Sequence, residues 1–256
     1  ELAKQVDARV SELTELLGVS DMTVRRDLEV LARDGLIEKV HGGATLASTS
    51  SMDEPGFEAK SSRELTEKEA IGRTAAGLVR PGTAIAMSAG TTTWALARYV
   101  SHIRDLTIVT NSIRVADVLQ QGSGNPTVIL TGGVRTPSDA LVGPVADLAI
   151  RSLHFDMFFL GCHGMDPVAG LTAPNLAESE TNRSFIRVAR TVVLAADHTK
   201  WGTVGLSSFA NLNEVDILVT DPGLSAEDLA TVADHVDRVI VAGGDTESTA
   251  ALSAVQ

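Results

Sequence analysis

A glycine followed by three threonines has the residue types and spacing that suit the binding of an anion. Gly90 and Thr91–Thr93 come directly after the apolar run TAIAMS, which ends at Ser88, and they open a stretch with a helical pattern. Because the first N–H groups of a helix have no intrahelical acceptor, they and nearby hydroxyls can bind a negative group such as phosphate. Capped helix starts are also common without any ligand, so a purely structural turn remains the alternative.

Polar residues and glycines follow other apolar runs in the same way. Asn111 can donate and accept hydrogen bonds, which fits a sugar hydroxyl, although the same residue often caps a turn. Gly132 and Gly133 would let a ligand approach the backbone closely, with Arg135 supplying a charge. A simple tight turn explains these two glycines equally well.

Two further loops carry groups that could face a ligand. Gly161 and His163 follow one apolar run, and His163 is a candidate for the lining of a pocket. Cys162 only superficially forms a catalytic pair with that histidine, because neighbours at a strand end diverge, and we interpret it as a packing residue. Lys200, with Asp197 before it, suits a phosphate or a sugar hydroxyl, and the alternative is a solvated loop lysine.

A candidate flap lies at 175–183, where Glu178, Glu180 or Asn182 would contact hydroxyls. The loops that follow parallel strands meet at one edge of a sheet, which is where open α/β sheets bind ligands. The sequence therefore predicts a pocket for a phosphate and several hydroxyls at that edge.

Seven apolar runs predict the strands that position these loops. They are continuous rather than alternating, as in strands covered on both faces. The predicted strands are 83–88, 106–110, 127–131, 156–161, 191–196, 216–220 and 238–242. Helical patterns such as 66–79 and 225–236 lie between many of them, and Ser225 with Asp228 resembles a capping box. Residues 57–256 are therefore predicted to form an α/β domain with a mostly parallel sheet.

The segment 47–56 is small and polar and ends in Pro-Gly, which is typical of a linker. Before it, residues 1–46 have the pattern of two helices followed by a hairpin. Ser11 is predicted to cap the first helix and Gly18 to end it, while Ser20 caps the second. The apolar positions of the two helices are Leu13, Leu16 and Leu17, then Val24, Leu28 and Leu31. This arrangement matches a helix-turn-helix, with a wing formed by the hairpin.

The exposed front of the second helix carries side chains that suit contact with DNA. The candidates are Ser20, Met22, Thr23, Arg25 and Arg26 on the helix, and Lys39 and His41 on the wing. Arginine can fork onto guanine or phosphate, hydroxyls can contact bases or phosphates, and methionine can touch a thymine methyl. The alternative is that the arginines pair with acids of the same helix. The combination of a capped helix, a glycine turn, a row of apolar residues and a wing favours DNA binding over that alternative.

The composition limits the other classes of function. A chain of 256 residues, with 44% hydrophobic and 21% charged residues, has material for one large or two modest folded domains. Its formal net charge of -12 excludes a generally basic nucleic-acid coat, so DNA contact depends on local placement of cations. Its single cysteine excludes an internal disulfide and offers no thiolate cluster for zinc, and no cofactor is predicted.

No apolar run approaches the roughly 18 residues that span a bilayer, and no signal-like segment is visible. The chain begins inside a plausibly helical pattern at Glu1. We therefore expect a cytoplasmic protein with no membrane partner.

The run GVSDMTVRRDLEVLARDGLIEKVHGGA closely resembles the amino-terminal signature of DeoR-type bacterial transcriptional regulators. The similarity continues in matching order through SAGTTT, VTNS, TGG, DMFFLGCHGM, DHTKWG and VDILVTD, so it covers nearly the whole chain. The resemblance implies a winged helix-turn-helix joined to an effector-sensing domain that resembles sugar-phosphate isomerases. It also implies that Lys200 points into the ligand site. Family members often have an acid where this chain has Ser88, and they usually have several residues before the point where it begins, which would complete the first helix.

Three functions follow as hypotheses. The leading one is a repressor of sugar or related catabolism that binds operator DNA as a homodimer or larger homo-oligomer and is released by a phosphorylated sugar. Oligomerisation is expected because one small head makes few phosphate contacts. The alternatives are a sugar-phosphate isomerase with an appended DNA-binding head, using Lys200, Asp197 and Glu178, and a ligand-binding module whose helices contact protein.

Overall fold

A computed structural model describes residues 7–33, 37–40, 43–46 and 56–243. His41, most of the predicted linker and the helical pattern at Glu1 lie outside these described residues. The described residues before 47 are called the head, and residues 56–243 are called the α/β domain. The boundaries predicted at 46 and 57 remain predictions.

The head combines two helices with a small antiparallel sheet. Its elements are β1 (Asp7–Arg9), α1 (Val10–Leu17), α2 (Asp21–Arg33), β2 (Ile37–Val40) and β3 (Gly43–Leu46). The predicted hairpin is confirmed, because β2 pairs with β3 in antiparallel register. An unpredicted third strand, β1, pairs with the other side of β3, and the sheet order is β1-β3-β2. The result is a helix-turn-helix with a wing.

The turn between the helices forms as the sequence indicated. Gly18 ends α1 in the left-handed region at φ 65°, where a glycine is favoured. The hydroxyl of Ser20 accepts a hydrogen bond from the backbone N–H of Thr23 at 3.2 Å, which confirms the predicted cap of α2. The prediction that Ser11 caps α1 is wrong. The helix begins at Val10, and its N-cap Arg9 donates its backbone N–H to Glu12 at 3.1 Å.

A small apolar core holds the head together. Its buried side chains are Val10, Val24, Leu28 and Ala44, and Leu13 packs against them. Three leucines that the sequence assigned to this apolar side are instead exposed: Leu16, Leu17 and Leu31. Leu16 and Leu17 are 67% and 57% exposed, whereas Leu31, on the same stripe as Val24 and Leu28, is 37% exposed.

The α/β domain alternates helices and strands along the chain. Its first half contains α3 (Phe57–Ser61), α4 (Leu65–Ala76), β4 (Ala84–Met87), α5 (Thr91–Val100), β5 (Thr107–Thr110), α6 (Ile113–Gln120), β6 (Thr127–Leu130), β7 (Val134–Arg135) and β8 (Leu141–Val142). Its second half contains α7 (Pro144–Arg151), β9 (Met157–Leu160), β10 (Gly164–Asp166), β11 (Gly170–Ala173), α8 (Leu176–Val188), β12 (Val192–Ala195), β13 (Ser207–Ala210), β14 (Ile217–Thr220), α9 (Ala226–Ala233) and β15 (Arg238–Val241). Short 3-10 helices lie at His198–Lys200 and Leu212–Glu214.

All seven predicted strands join one sheet in the order β15-β14-β12-β9-β4-β5-β6. Every neighbouring pair in it is parallel, which confirms the predicted α/β class. β10, β11 and β13 form a separate antiparallel sheet, and β7 pairs with β8; neither was predicted.

Helices cover both faces of the parallel sheet and create two cores. Phe158 of β9 enters one core, which α7, α8 and α9 cover, and the next residue, Phe159, enters the other, which α4, α5 and α6 cover. This alternation follows from the pleat of a strand. The expectation of two-sided burial fails for the edge strand β6, in which Leu130 is 46% exposed.

Ser225 caps α9, because its hydroxyl accepts from the backbone N–H of Asp228 at 3.1 Å, and the same hydroxyl donates to the Asp228 carboxylate at 2.6 Å. The predicted flap at 175–183 is wrong. That segment is the start of α8, whose N-cap Asn175 accepts from the backbone N–H of Glu178 at 2.8 Å. No helix among the described residues has the length and apolar character needed to cross a membrane.

Candidate functional site

A cavity opens at the carboxyl ends of β4, β9 and β12, beside the point where the strand order reverses. β5 and β6 extend the sheet on one side of β4, and β9, β12, β14 and β15 extend it on the other. Loops leave neighbouring strands toward opposite faces at such a point, which creates a crevice. The cavity encloses about 780 Å³, its open mouth included.

The loop after β4 forms one wall of the cavity. Gly90, Thr91 and Thr92 line it, and α5 begins at Thr91. Thr93 is fully buried and its hydroxyl donates to the Gly90 carbonyl at 3.0 Å, so this threonine shapes the turn rather than facing the cavity. The N-terminal end of a ten-residue helix therefore borders the cavity, and its partial positive charge favours an anion there.

The loop after β9 forms the floor beside it. Gly161, Cys162 and His163 line the cavity. Ser88 is buried behind them, and its hydroxyl accepts the backbone N–H of Gly161 at 3.0 Å, which ties the ends of β4 and β9 together. Burial raises the pKa of the Cys162 thiol to about 12, which favours its neutral form and supports its interpretation as a packing residue.

The loop after β12 contributes the lysine that the sequence singled out. Lys200 lines the cavity at the end of the short 3-10 helix. Asp197 caps this helix by accepting from the backbone N–H of Thr199 at 3.1 Å and from the threonine hydroxyl. The aspartate is fully buried and does not line the cavity.

The opposite wall comes from residues far away in sequence. Phe57 and Lys60 of α3, Ser138 between β7 and β8, and Glu178 and Asn182 of α8 line it. Sequence reasoning missed the first three, which follow no strand of the main sheet and carry no motif. Glu178 and Asn182 were considered only for a flap. Their four-residue spacing after the cap residue Asn175 was a usable signal, because it places both on one helix face.

Four of the predicted effector residues lie on the other side of β4, after β5 and β6, and do not line the cavity. The Asn111 side chain joins two loops: its Oδ1 accepts the backbone N–H of Ala89 at 2.9 Å, and its Nδ2 donates to the backbone carbonyl of Leu141 at 3.1 Å. Gly132 and Gly133 both have positive φ and lead into β7. Arg135 pairs with Asp139.

Cations surround the cavity even though the chain is acidic overall. Lys60 and Lys200 line it, and a third lysine, Lys68 of α4, is buried nearby with 4% of its surface exposed. Burial lowers the pKa of Lys68 to about 8, an effect that the neighbouring Asp197 opposes and Lys200 reinforces. Within the described part of the chain, no cluster of three His, Cys, Asp or Glu side chains has a geometry that could hold a metal.

The head presents a second candidate surface on α2. Ser20, Met22, Thr23, Arg25 and Arg26 are all exposed, with Met22 at 82%. Arg25 pairs with Asp21 at 3.0 Å, so the alternative of intrahelical pairing is realised for that arginine. Arg26 makes no ion pair among the described residues. Lys39 lies on β2 of the wing.

Comparison with known proteins identifies both parts of the chain. A model of the DeoR-like helix-turn-helix domain matches residues 1–50, and a model of the DeoR C terminal sensor domain matches residues 63–222. A putative aga operon transcriptional repressor of Escherichia coli O157:H7 is 30% identical over 94% of this chain and 90% of its own length. HTH-type transcriptional regulator GlpR of Haloferax volcanii is 39% identical over 89% of each chain. The lactose phosphotransferase system repressor of Staphylococcus aureus is 36% identical over 86% of this chain and 90% of its own.

Part of the backbone of this chain aligns with solved structures of low sequence identity. Ribose 5-phosphate isomerase A from Methanocaldococcus jannaschii aligns with 52% of this chain and 53% of its own at 15% identity and a TM-score of 0.39. eIF2B beta from Chaetomium thermophilum aligns with 67% of this chain and 54% of its own at 12% identity and a TM-score of 0.44. Likeness at this level carries nothing about activity. The two family models and the relatives, which are themselves transcriptional regulators, show that the chain belongs to the DeoR family of DNA-binding transcriptional regulators.

Proposed function

We propose that this regulator represses genes of sugar or related carbon catabolism and that a phosphorylated sugar, bound in the cavity, releases it from operator DNA. The observation that carries the proposal is the division of the cavity into two chemistries. The N-terminal end of α5, Lys60 and Lys200 supply positive charge, whereas Glu178 and Asn182 supply acceptors and donors for hydroxyls.

The DNA-binding half of the proposal relies on the exposed front of α2. Its amino-terminal residues are the ones that a recognition helix turns toward base edges, and Arg26 is not engaged by another charge of the described chain. One such head makes few phosphate contacts, so we propose that a homodimer or larger homo-oligomer binds the operator. The names of two relatives, an aga operon repressor and a lactose phosphotransferase system repressor, support regulation of sugar genes here.

The cavity is proposed to bind its ligand without converting it. The Asp197 carboxylate is buried and engaged by Thr199, and the Cys162 thiol stays protonated. Asp197 is therefore held outside the cavity lining, with one carboxylate oxygen unpartnered among the described residues, and the raised pKa of Cys162 disfavours its thiolate; both features support binding without turnover. An isomerase-like enzyme with an appended head is the alternative, and turnover of pentose or hexose phosphates that is abolished in Lys200→Ala would establish it.

The test measures binding of the full chain to the DNA upstream of its own gene by fluorescence anisotropy. Aldose and ketose phosphates are added one at a time, with the unphosphorylated sugars and inorganic phosphate as matched controls. We expect preference for that fragment over random duplex and weaker DNA binding with one sugar phosphate. In Lys200→Met, release should need more of that compound. The proposal fails if the fragment shows no preference or if no phosphorylated sugar changes the affinity.

A further inference from the structure

The first helix after the linker contributes directly to the cavity. α3 begins at Phe57, one residue after Gly56, where the predicted linker ends. Phe57 and Lys60, three residues apart on this helix, both line the cavity. A segment that leads from the DNA-binding head is thus part of the wall that a ligand would touch.

Side chains of α5 and α6 hold the start of α3 against the rest of the α/β domain. The Phe57 ring packs edge-on against Trp94 of α5 with 5.7 Å between ring centroids, and the Arg114 guanidinium lies 5.0 Å from the centre of the Phe57 ring. Arg114 also pairs with Glu58 at 2.8 Å and with Asp139 at 2.6 Å. Because Arg114 is on α6, these contacts tie the start of α3 to the sheet's helical layer.

Two lysines fix the other end of α3. The buried Lys68 ammonium donates to the backbone carbonyl of Lys60 at 2.8 Å and to that of Arg63. Lys60 itself extends across the cavity wall and donates to the Ser138 hydroxyl at 3.1 Å. The Lys60 side chain therefore links α3 to the loop between β7 and β8.

We propose, on the basis of the function proposed above, that α3 reports occupancy of the cavity to the head, and that Lys60 is the residue through which a bound anion acts on it. A phosphate held by Lys200 and the start of α5 would give the Lys60 ammonium a charged acceptor inside the cavity, and hydrogen bonds to charged acceptors are the stronger kind. The ligand therefore binds an arrangement of α3 in which Lys60 reaches it more tightly than one in which Lys60 does not. Such a difference is what a ligand needs to shift a conformational equilibrium.

Lys60 and Lys200 both line the cavity, but Lys60 lies on α3, next to the predicted linker, and Lys200 lies in the loop after β12. Substituting each lysine separately therefore distinguishes a loss of signalling from a loss of ligand binding. Lys200 is in the loop after β12, so its loss should weaken ligand binding and leave unchanged the effect of saturating ligand on DNA affinity. Lys60 is on α3, so its loss should reduce the ligand-induced change in DNA affinity even when every ligand site is filled. The two substitutions, Lys60→Met and Lys200→Met, remove the same charge and are matched controls for each other.

The experiment measures the dissociation constant of the full chain for its upstream DNA without ligand and with the active sugar phosphate at saturating concentration. Saturation is verified for each variant by a direct titration of ligand binding. The wild type should show a ratio on the order of 5–150 between the two constants, and Lys60→Met should bring it below about 2. Lys200→Met should keep the wild-type ratio. Phe57→Ala, which detaches α3 from Trp94, should also reduce the ratio.

A wild-type ratio in Lys60→Met, or an equal loss in Lys60→Met and Lys200→Met, overturns the role of α3 and leaves the proposed function standing. Wild-type protein whose DNA affinity no sugar phosphate changes refutes the proposed effector class, and this inference with it. Circular dichroism confirms the fold of each variant.

Discussion

The head and the α/β domain present their binding residues in opposite ways. The head is held by four buried apolar side chains, and the residues proposed to contact DNA stand on the outside of α2. The α/β domain has a large core on each face of its sheet, and its candidate ligand residues converge in a cavity at the strand ends. The proposed DNA contact therefore depends mainly on one helix face, whereas the proposed ligand site depends on several elements being held together.

This contrast has an energetic consequence. The head can change its surface residues with little effect on its fold, because exposed substitutions seldom alter stability. Three of the loops that line the cavity, in contrast, directly follow the buried strands β4, β9 and β12. Changes in the core beneath the cavity should therefore disturb both stability and ligand binding.

The largest expected effect is on the core of the α/β domain. Phe158 is fully buried and stacks on Phe185 with 4.7 Å between ring centroids. Phe158→Ala should lower the free energy of unfolding by about 3–5 kcal/mol through lost burial and a cavity. Both tryptophans, Trp94 and Trp201, lie in this domain, so denaturant unfolding followed by their fluorescence reports on it alone. Val168→Ala, at a position 92% exposed, is the control and should change little; equal effects would contradict the proposed two-core packing.

The second-largest expected effect is a pH dependence of stability that arises from the buried ammonium of Lys68. Burial lowers the pKa of Lys68 from 10.5 to about 8 in the folded protein, where Asp197, Lys200, Glu64 and Arg63 are the charged groups around it. Between these two values the unfolded chain binds more protons than the folded chain, so stability rises with pH. The rise should amount to up to roughly 3 kcal/mol and be complete near the unfolded pKa.

The measurement compares wild type with Lys68→Met by denaturant unfolding from pH 7 to pH 10. Because Lys68→Met lacks the titrating group, the wild type should gain stability relative to the variant as pH increases through about 8. Groups that do not interact with Lys68 titrate equally in both proteins and cancel. A difference that stays constant with pH would show that the Lys68 ammonium is not disfavoured by its buried position.

The smallest effect is expected on the head and should appear only in DNA binding. Arg26→Ala should weaken operator affinity by about 1–3 kcal/mol, because an arginine on a recognition helix binds base edges or phosphates. The free energy of unfolding should not change, since Arg26 makes no ion pair in the described chain. Arg151→Ala, an exposed arginine of α7, is the matched control and should leave DNA affinity unchanged. An equally weak effect of both substitutions would remove Arg26 from the DNA interface.

Local patterns predicted the elements of this protein well. The cap at Ser20, the stop at Gly18 and the seven strands depend on short-range preferences, such as glycine at a left-handed position and continuous apolar runs in two-sided strands. The errors also have local causes. Leu31 has the spacing of a buried residue but is 37% exposed, and the polar first turns of α8 led to the prediction of a flap in place of a helix.

The sequence by itself determined which residues end each strand and which helix carries the arginines, because those properties depend on neighbours along the chain. Only the tertiary structure decided which strand ends meet. β4 lies between β9 and β5, so Gly90, Gly161 and Lys200 share the cavity while Asn111 and Gly132 fall on the other side. The order of strands in a sheet, and the return of Phe57 and Lys60 to its edge, result from the joint burial of apolar faces distant in the chain, which no single segment encodes.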